Sequence, residues 1–269
     1  MPLGPRGGTI LMVPGYNEPP EHFDLLRRGT PLIPGLDAYG IESITFAEFD
    51  DTLSERVDRF ARYITQLKDN GHPFPIILLG YSLGGLVVRG FLRRYPHRAG
   101  EVSHAIMIAT PNWGVQTYML PQIHAMLRTP DKAFGDMDVY SQFIAWLNGT
   151  GGHWRRAAHG WWDWTLDKEP WIGPPGTRML SIAGLIPSRG GDNDGLVWGD
   201  SATLGSRIPA HFIVGPHANH MNVIGHFDPF IMLSKGFLAN NRVWPLTLRA
   251  VTRFLGAQLP RPVEASQNV

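Results

Sequence analysis

The stretch IILLGYSLGGLVVRGFLRRYP, residues 76–96, decides how the rest of the chain is read. Ile76–Leu79 is a short, fully apolar run, the mark of a strand buried on both faces. Leu83, Leu86, Val87, Val88, Phe91 and Leu92 then recur with the spacing of a helix that has a broad apolar surface, and Pro96 stops it. At the junction sits Ser82, a small hydroxyl between glycines. One explanation is local, because serine caps helices well. The other is chemical: Gly80-Tyr81-Ser82-Leu83-Gly84 reads G-x-S-x-G, a strand-to-helix turn that points a serine Oγ outward and leaves the following backbone N–H free for an anion. Gly80 and Gly84 relieve crowding where the chain reverses, and Gly85 permits close approach of helix and sheet.

Working outward, the same strand–helix rhythm recurs. Thr9–Val13 is a continuous apolar strand signal ended by Pro14-Gly15, and residues 21–29 suit a short helix. Ile41–Phe49 alternates loosely and predicts a second strand. Leu53, Val57, Phe60, Ala61, Ile64 and Leu67 predict a helix over about 54–69, ended by Asn70-Gly71, and VSHAIMIATP, residues 102–111, reads as a buried strand. The rhythm resumes in TRMLSIAG, 177–184, and AHFIVG, 210–215, followed by a broken helix within 222–237 and a C-terminal helix over 246–257. Alternation of this kind predicts an α/β fold, a mostly parallel sheet with helices on both faces. Between the two halves the rhythm is lost. Residues 112–176 carry Trp146, Trp154, Trp161, Trp162, Trp164 and Trp171 beyond Trp113, together with Gly-rich turns. The expectation is a core formed by 1–111 and 177–269, with 112–176 inserted as a cap or lid.

Composition narrows the function classes. The 269 residues are 43% hydrophobic, enough for one full core. Charge is balanced, 24 Lys+Arg against 23 Asp+Glu, which argues against a nucleic-acid partner. Cysteine is absent, so neither disulfides nor thiolate metal sites contribute. No apolar run has the length of a membrane span, and the N-terminal residues lack a long apolar signal segment. The expectation is a soluble, cytoplasmic chain, although a processed and secreted form is compatible with the same residues. Oligomeric state is not written in the sequence.

A serine hydroxyl needs a base within hydrogen-bond reach, and the base needs an acid to orient it. In an open parallel sheet these belong on loops after strand ends. GGDNDGLV, 190–197, follows one such strand and GPHANHMNV, 215–223, follows another. Asp194 is the first choice of acid, with Asp192 close enough to compete. His220 is the first choice of base, with His217 the competitor. The anion formed on an attacked carbonyl needs donors, for which Leu83 N–H and Tyr16 N–H, in the loop VPGYN, are the candidates.

With these pieces in place, the chain resembles the α/β-hydrolase superfamily, and within it bacterial triacylglycerol lipases and lipase-like esterases. The resemblance is carried by ILMVPGYN, LLGYSLGGLVVRGFL, IATPNWG, DNDGLV and NHMNVI, and by the chain order Ser, Asp, His. It implies Ser82 as nucleophile, Asp194 and His220 as its partners, and Tyr16 and Leu83 as oxyanion donors. Several lipases carry T-P-H-x-G where this chain has Thr110-Pro111-Asn112-Trp113-Gly114, and Tyr81 stands where His is frequent. No cofactor or metal is implied. The expected substrate is a small-molecule or lipid-like ester with an apolar acyl or aryl part, contacted by Tyr81, Trp113, Trp161 and Trp162. The same residues would also serve an amidase, a lactonase or an acyltransferase, and the fold alone would serve a non-catalytic ligand-binding protein.

Overall fold

The computed structural model describes residues 7–16, 18, 20–29, 36–46, 50–115, 132–156, 162–186, 193–215, 218, 220, 224 and 243–256. The first half contains β1 (Thr9–Val13), a 3-10 turn over Pro20–Phe23 leading into α1 (Asp24–Gly29), β2 (Gly40–Ser43), α2 (Leu53–Asp69), β3 (Ile76–Tyr81), α3 (Leu83–Arg94) and β4 (Val102–Ile108). Within 112–176 lie α4 (Lys132–Asp136), α5 (Gln142–Asn148) and the strands β5 (Gly152–Arg156) and β6 (Trp162–Leu166). The second half adds β7 (Arg178–Gly184), α6 (Gly199–Thr203), β8 (Ala210–Val214) and α7 (Val243–Leu255).

Six strands form one sheet in the order β2-β1-β3-β4-β7-β8, and every neighbouring pair is parallel. From β1 the chain steps outward to β2, then returns to the other side of β1 and continues away from it. The strand order therefore reverses between β1 and β3, the position at which open α/β sheets place their ligand sites. The central strands β1, β3, β4 and β7 are buried on both faces, as their apolar runs predict. Leu11, Val13, Ile76 and Leu78 enter one core with α2 and α3. Ile10, Met12, Ile77, Leu79 and Tyr81 enter the other, with Val251 and Leu255 of α7. This is the period-2 alternation of strand side chains.

Helix α2 lies where its apolar spacing puts it, with Leu53, Val57, Phe60, Ala61, Ile64 and Leu67 buried. Its start is set by a capping box in which Thr52 accepts from Glu55 N–H and the Glu55 carboxylate accepts from Thr52 N–H. Phe60 meets Phe91 of α3 edge-on at 5.5 Å. Strand β2 is shorter than the expected 41–49 span. It pairs with β1 from Gly40 to Ser43, and the last bond to β1 among the described residues is from Ile44 N–H to the Met12 carbonyl at 3.2 Å.

The segment 112–176 stands outside the main sheet. Its strands β5 and β6 pair antiparallel with each other, Trp154 opposite Trp164. Phe143, Ile144 and Leu147 of α5 join the core that holds α2 and α3. Polar contacts fix the same docking. The wholly buried Arg89 of α3 donates to Asn112 Oδ1 and Asn148 Oδ1, both at 3.1 Å, and to the Trp171 carbonyl at 2.6 Å. Burial, helped by the like charge of Arg93, pulls the Arg89 guanidinium down to about 9. It remains cationic at neutral pH, and amide and carbonyl oxygens meet its charge. Trp146 lies beneath Arg93 and Arg94, at 5.7 and 5.1 Å, and Trp171 beneath Arg93 at 5.2 Å. These arginines are ten or more residues along α3 from Leu83, roughly 15 Å at the helical rise. Trp146 and Trp171 thus serve the docking of this segment on α3. Residues 116–131 and 157–161 of the expected cap lie outside the described residues.

Candidate active site

Ser82 is the single residue between β3 and α3, and its backbone is unusual. Its φ of 51° and ψ of −123° lie where a residue with a Cβ is strained. The surroundings hold it there. Ser82 N–H donates to the Ile108 carbonyl of β4 at 2.8 Å, and Gly85 N–H donates to the Ser82 carbonyl at 3.1 Å. The turn closes so tightly that a Cβ on Gly80 would lie 2.7 Å from the Gly84 carbonyl oxygen and the Gly85 nitrogen. A Cβ on Gly84 would strike the backbone of Val13 and Pro14, so glycine lets the first turn of α3 seat against the loop after β1.

The partners come from the ends of β7 and β8. His220 Nε2 lies 2.9 Å from Ser82 Oγ, and His220 Nδ1 lies 2.7 Å from Asp194 Oδ2. With the acid ionised, chemistry assigns the roles: Nδ1–H donates to the carboxylate, and the serine O–H donates to Nε2. Asp194 is 2% exposed and His220 6%. The other carboxylate oxygen, Oδ1, accepts from Leu196 N–H at 2.9 Å and Val197 N–H at 2.7 Å. A turn through Gly195, at φ 97°, aims both amides. The acid is thereby held by its own loop before it meets the histidine. The backbones are tied as well, since His220 N–H donates to the Asp194 carbonyl at 2.9 Å.

Burial alone would pull the His220 imidazole below its ordinary range. The charge and hydrogen bond of Asp194 outweigh burial, with a smaller contribution from the charge of Glu18, and the net direction is upward. Glu18 was not singled out by the sequence. It sits on the loop after β1, where its Oε2 accepts from Gly15 N–H at 3.0 Å. That loop is close to the serine: a Cβ on Gly15 would lie 3.2 Å from the Ser82 Cβ. The Tyr16 ring turns into the core, edge-on to Phe134 at 5.8 Å.

The remaining candidates separate. Tyr81, expected among the substrate contacts, is 0% exposed and has no surface to offer a ligand. Its parity with Ile77 and Leu79 on β3 turns it into the second core, where its hydroxyl donates to the His220 carbonyl at 2.6 Å. That parity was readable in the sequence. Trp113 packs partly buried against the first core and beside Gly205, and its backbone N–H donates to Ser201 Oγ at 3.0 Å. Asn112, in the place of the frequent histidine, is buried and donates to the Ala202 carbonyl at 2.6 Å. It ties the loop after β4 to α6 as well as to Arg89. Trp161, Asp192 and His217 lie outside the described residues, and of Trp162 the structure describes the backbone in β6. Among the described residues no group of three or more His, Asp or Glu gathers as metal ligands, and no helix is long and apolar enough to cross a membrane.

No family model matches the chain, and no curated protein does. Solved structures do. A lipase from Bacillus licheniformis is 18% identical with a TM-score of 0.57 over 89% of this chain and 52% of its own, so the chain spans about half that lipase's length. A metagenomic carboxyl esterase is 15% identical with a TM-score of 0.56 over 95% of this chain and 77% of its own. A phospholipase from Legionella pneumophila is 14% identical with a TM-score of 0.53 over 92% of this chain and 64% of its own. Identities this low speak for architecture alone. Together with the parallel sheet, its order and the serine turn after β3, they give the conclusion that the chain has the α/β-hydrolase fold.

Proposed function

We propose that the protein is a serine hydrolase that cleaves carboxylic esters through an acyl-enzyme on Ser82. The observation that carries this reading is the continuous hydrogen-bonded chain from Ser82 Oγ through His220 to a buried Asp194. His220 Nε2 takes the serine proton as Oγ attacks the acyl carbonyl. Asp194 keeps the imidazole in the required tautomer and stabilises its cationic form. The oxyanion is met by the N–H groups of Leu83 and Tyr16. The tetrahedral adduct collapses, the ester C–O bond breaks, and the alcohol leaves with the proton from Nε2. Water then attacks the acyl-enzyme with His220 again as base, releasing the acid and restoring Ser82. No step calls for a metal or an organic cofactor. The substrate under this reading has an apolar acyl or aryl group, with Trp161 and Trp162 as its contacts in a cap drawn from 112–176.

A fluorophosphonate probe followed by peptide mass spectrometry tests the nucleophile, and Ser82→Ala and His220→Ala test turnover of p-nitrophenyl esters. Label on Ser82, lost with turnover in both variants, is the expected result. A folded protein that takes no label at Ser82, or a Ser82→Ala variant that still turns over ester, would overturn the proposal. Across an acyl series, each added methylene enclosed by the pocket contributes about 0.8 kcal/mol, roughly fourfold in kcat/KM. A flat or falling series would remove the apolar-acyl part and leave the hydrolase. Faster cleavage of matched anilides than of esters would move the reading to an amidase.

A further inference from the structure

We infer that Tyr81 is a positioning residue for the proposed reaction: its buried hydroxyl holds the backbone of His220 and so sets the base against the nucleophile that follows it in the chain. The inference rests on the reading of Ser82 and His220 given above.

The geometry is specific. Tyr81 ends β3 and is joined to Ser82 by one peptide bond, yet the two side chains leave in different directions. Ser82 meets Nε2 of the His220 ring, while the Tyr81 hydroxyl donates to the carbonyl of the same histidine at 2.6 Å. The tyrosine ring also lies 5.1 Å from the imidazole, tilted by 38°, and Phe23 braces its other side edge-on at 6.3 Å. His220 is therefore gripped on both sides of its Cα. Its N–H donates to the Asp194 carbonyl at 2.9 Å and its C=O accepts from Tyr81. With the backbone fixed at both ends, the freedom left to the base is rotation of its side chain. The bond from Nδ1 to Asp194 Oδ2 then removes that freedom.

A purely structural tyrosine would not need this arrangement. Phenylalanine fills nearly the same volume, and a buried hydroxyl costs stability unless it is bonded. The hydroxyl is also a dependable donor. Burial, reinforced by the charges of Glu18 and Asp194, pushes the phenol well above its usual range, so it keeps its proton wherever the histidine can act as base. Because Tyr81 and Ser82 are consecutive, any shift of the strand end carries nucleophile and anchor together. The distance between base and nucleophile is thus referenced to one short piece of backbone and not to the length of the intervening chain.

The test is Tyr81→Phe, with kcat counted per site titrated by the fluorophosphonate probe, so that loss of folded protein does not enter. Displacements near 1 Å in a reacting pair cost up to about 100-fold, and the expected result is a fall in kcat of roughly 10- to 100-fold with KM within about twofold, since the hydroxyl reaches no substrate. A cycle with Asp194→Asn adds a second readout. If Tyr81 acts by keeping His220 in register with its acid, the effect of Tyr81→Phe shrinks severalfold in the Asp194→Asn background. Unchanged kcat per site, or fully additive effects in the cycle, would overturn the inference even if the melting temperature falls. Should Tyr81→Phe not fold, Tyr81→His keeps an aromatic ring that ends short of the His220 carbonyl and supplies the same kcat and KM readout. If the parent protein takes no label at Ser82, the underlying reading fails. If it labels and turns over but the variant matches it per site, this inference alone fails.

Discussion

Acid should unfold this protein through a histidine at the end of the sheet remote from Ser82. His104 lies near the start of β4, is 3% exposed and packs edge-on to Phe254 of α7 at 5.5 Å. Its Nδ1 meets Ser103 Oγ at 3.0 Å, while Nε2 has no hydrogen-bond partner among the described residues. Burial, with the nearby positive charge of Arg178, pulls its pKa from 6.5 to about 4. The sign follows from linkage. The unfolded chain takes up the proton below 6.5, whereas the folded chain resists it down to about 4, so stability present at neutral pH is lost as the pH falls. The full loss is about 3.4 kcal/mol for a shift of roughly 2.5 units, of which about 2 kcal/mol is gone by pH 5. Urea unfolding of the parent and of His104→Leu at pH 7.5 and pH 5.0 isolates this term, because other titrating groups are common to both proteins. The parent should lose about 2 kcal/mol more than the variant between the two pH values. Parallel behaviour of the two proteins, within about 0.5 kcal/mol, would refute the reasoning.

Two further expectations concern the loop after β1. Glu18→Gln removes a charge that helps raise the His220 imidazole, so the acid limb of the kcat/KM profile should move to lower pH, and an unmoved or upward-shifted limb would show that the charge is not felt at the base. Gly84→Ala places a methyl on the Val13 and Pro14 carbonyls and should push the loop back from Ser82. Overpacking of this kind costs about 1–3 kcal/mol in urea unfolding, and loss of an oxyanion donor costs about 100-fold or more in kcat; kcat/KM within threefold of the parent would mean the close seat is not needed.

The parts of the fold that were legible in the sequence are those governed by short-range rules. Ile76–Leu79 and Ala105–Ile108 are apolar without interruption because helices cover both faces of the sheet there, and strands stand where those runs do. Helix α2 follows its apolar spacing and its Thr52–Glu55 box. The serine turn, and the loops that bring Asp194 and His220 to it, could be placed because each follows a strand end. What escaped was of a different kind. The hairpin of β5 and β6 was passed over because its Trp-Asp-Trp-Thr-Leu alternation, residues 162–166, spans one short strand within a Gly-rich segment that has no parallel-sheet rhythm. The role of Tyr81 needed its parity with Ile77 and Leu79, which sends it into the core, to outweigh its place beside the serine. Glu18 has no local signature, since a carboxylate two residues beyond Tyr16 could as well face solvent as bond Gly15.

The separation along the chain between Ser82 and its base has a consequence for synthesis. The nucleophile turn is complete once residues near 110 have been added, because its contacts are with β1, α3 and β4. Its base lies 138 residues beyond Ser82 in the chain, and the acid 26 residues before the base. A nascent chain emerging from the ribosome can therefore build the strained turn long before anything can draw a proton from it. Under the proposed chemistry the serine stays inert on the ribosome, and its reactivity is switched on by the arrival of one late loop. Probe labelling of arrested chains of increasing length would accordingly read out the closing step of assembly.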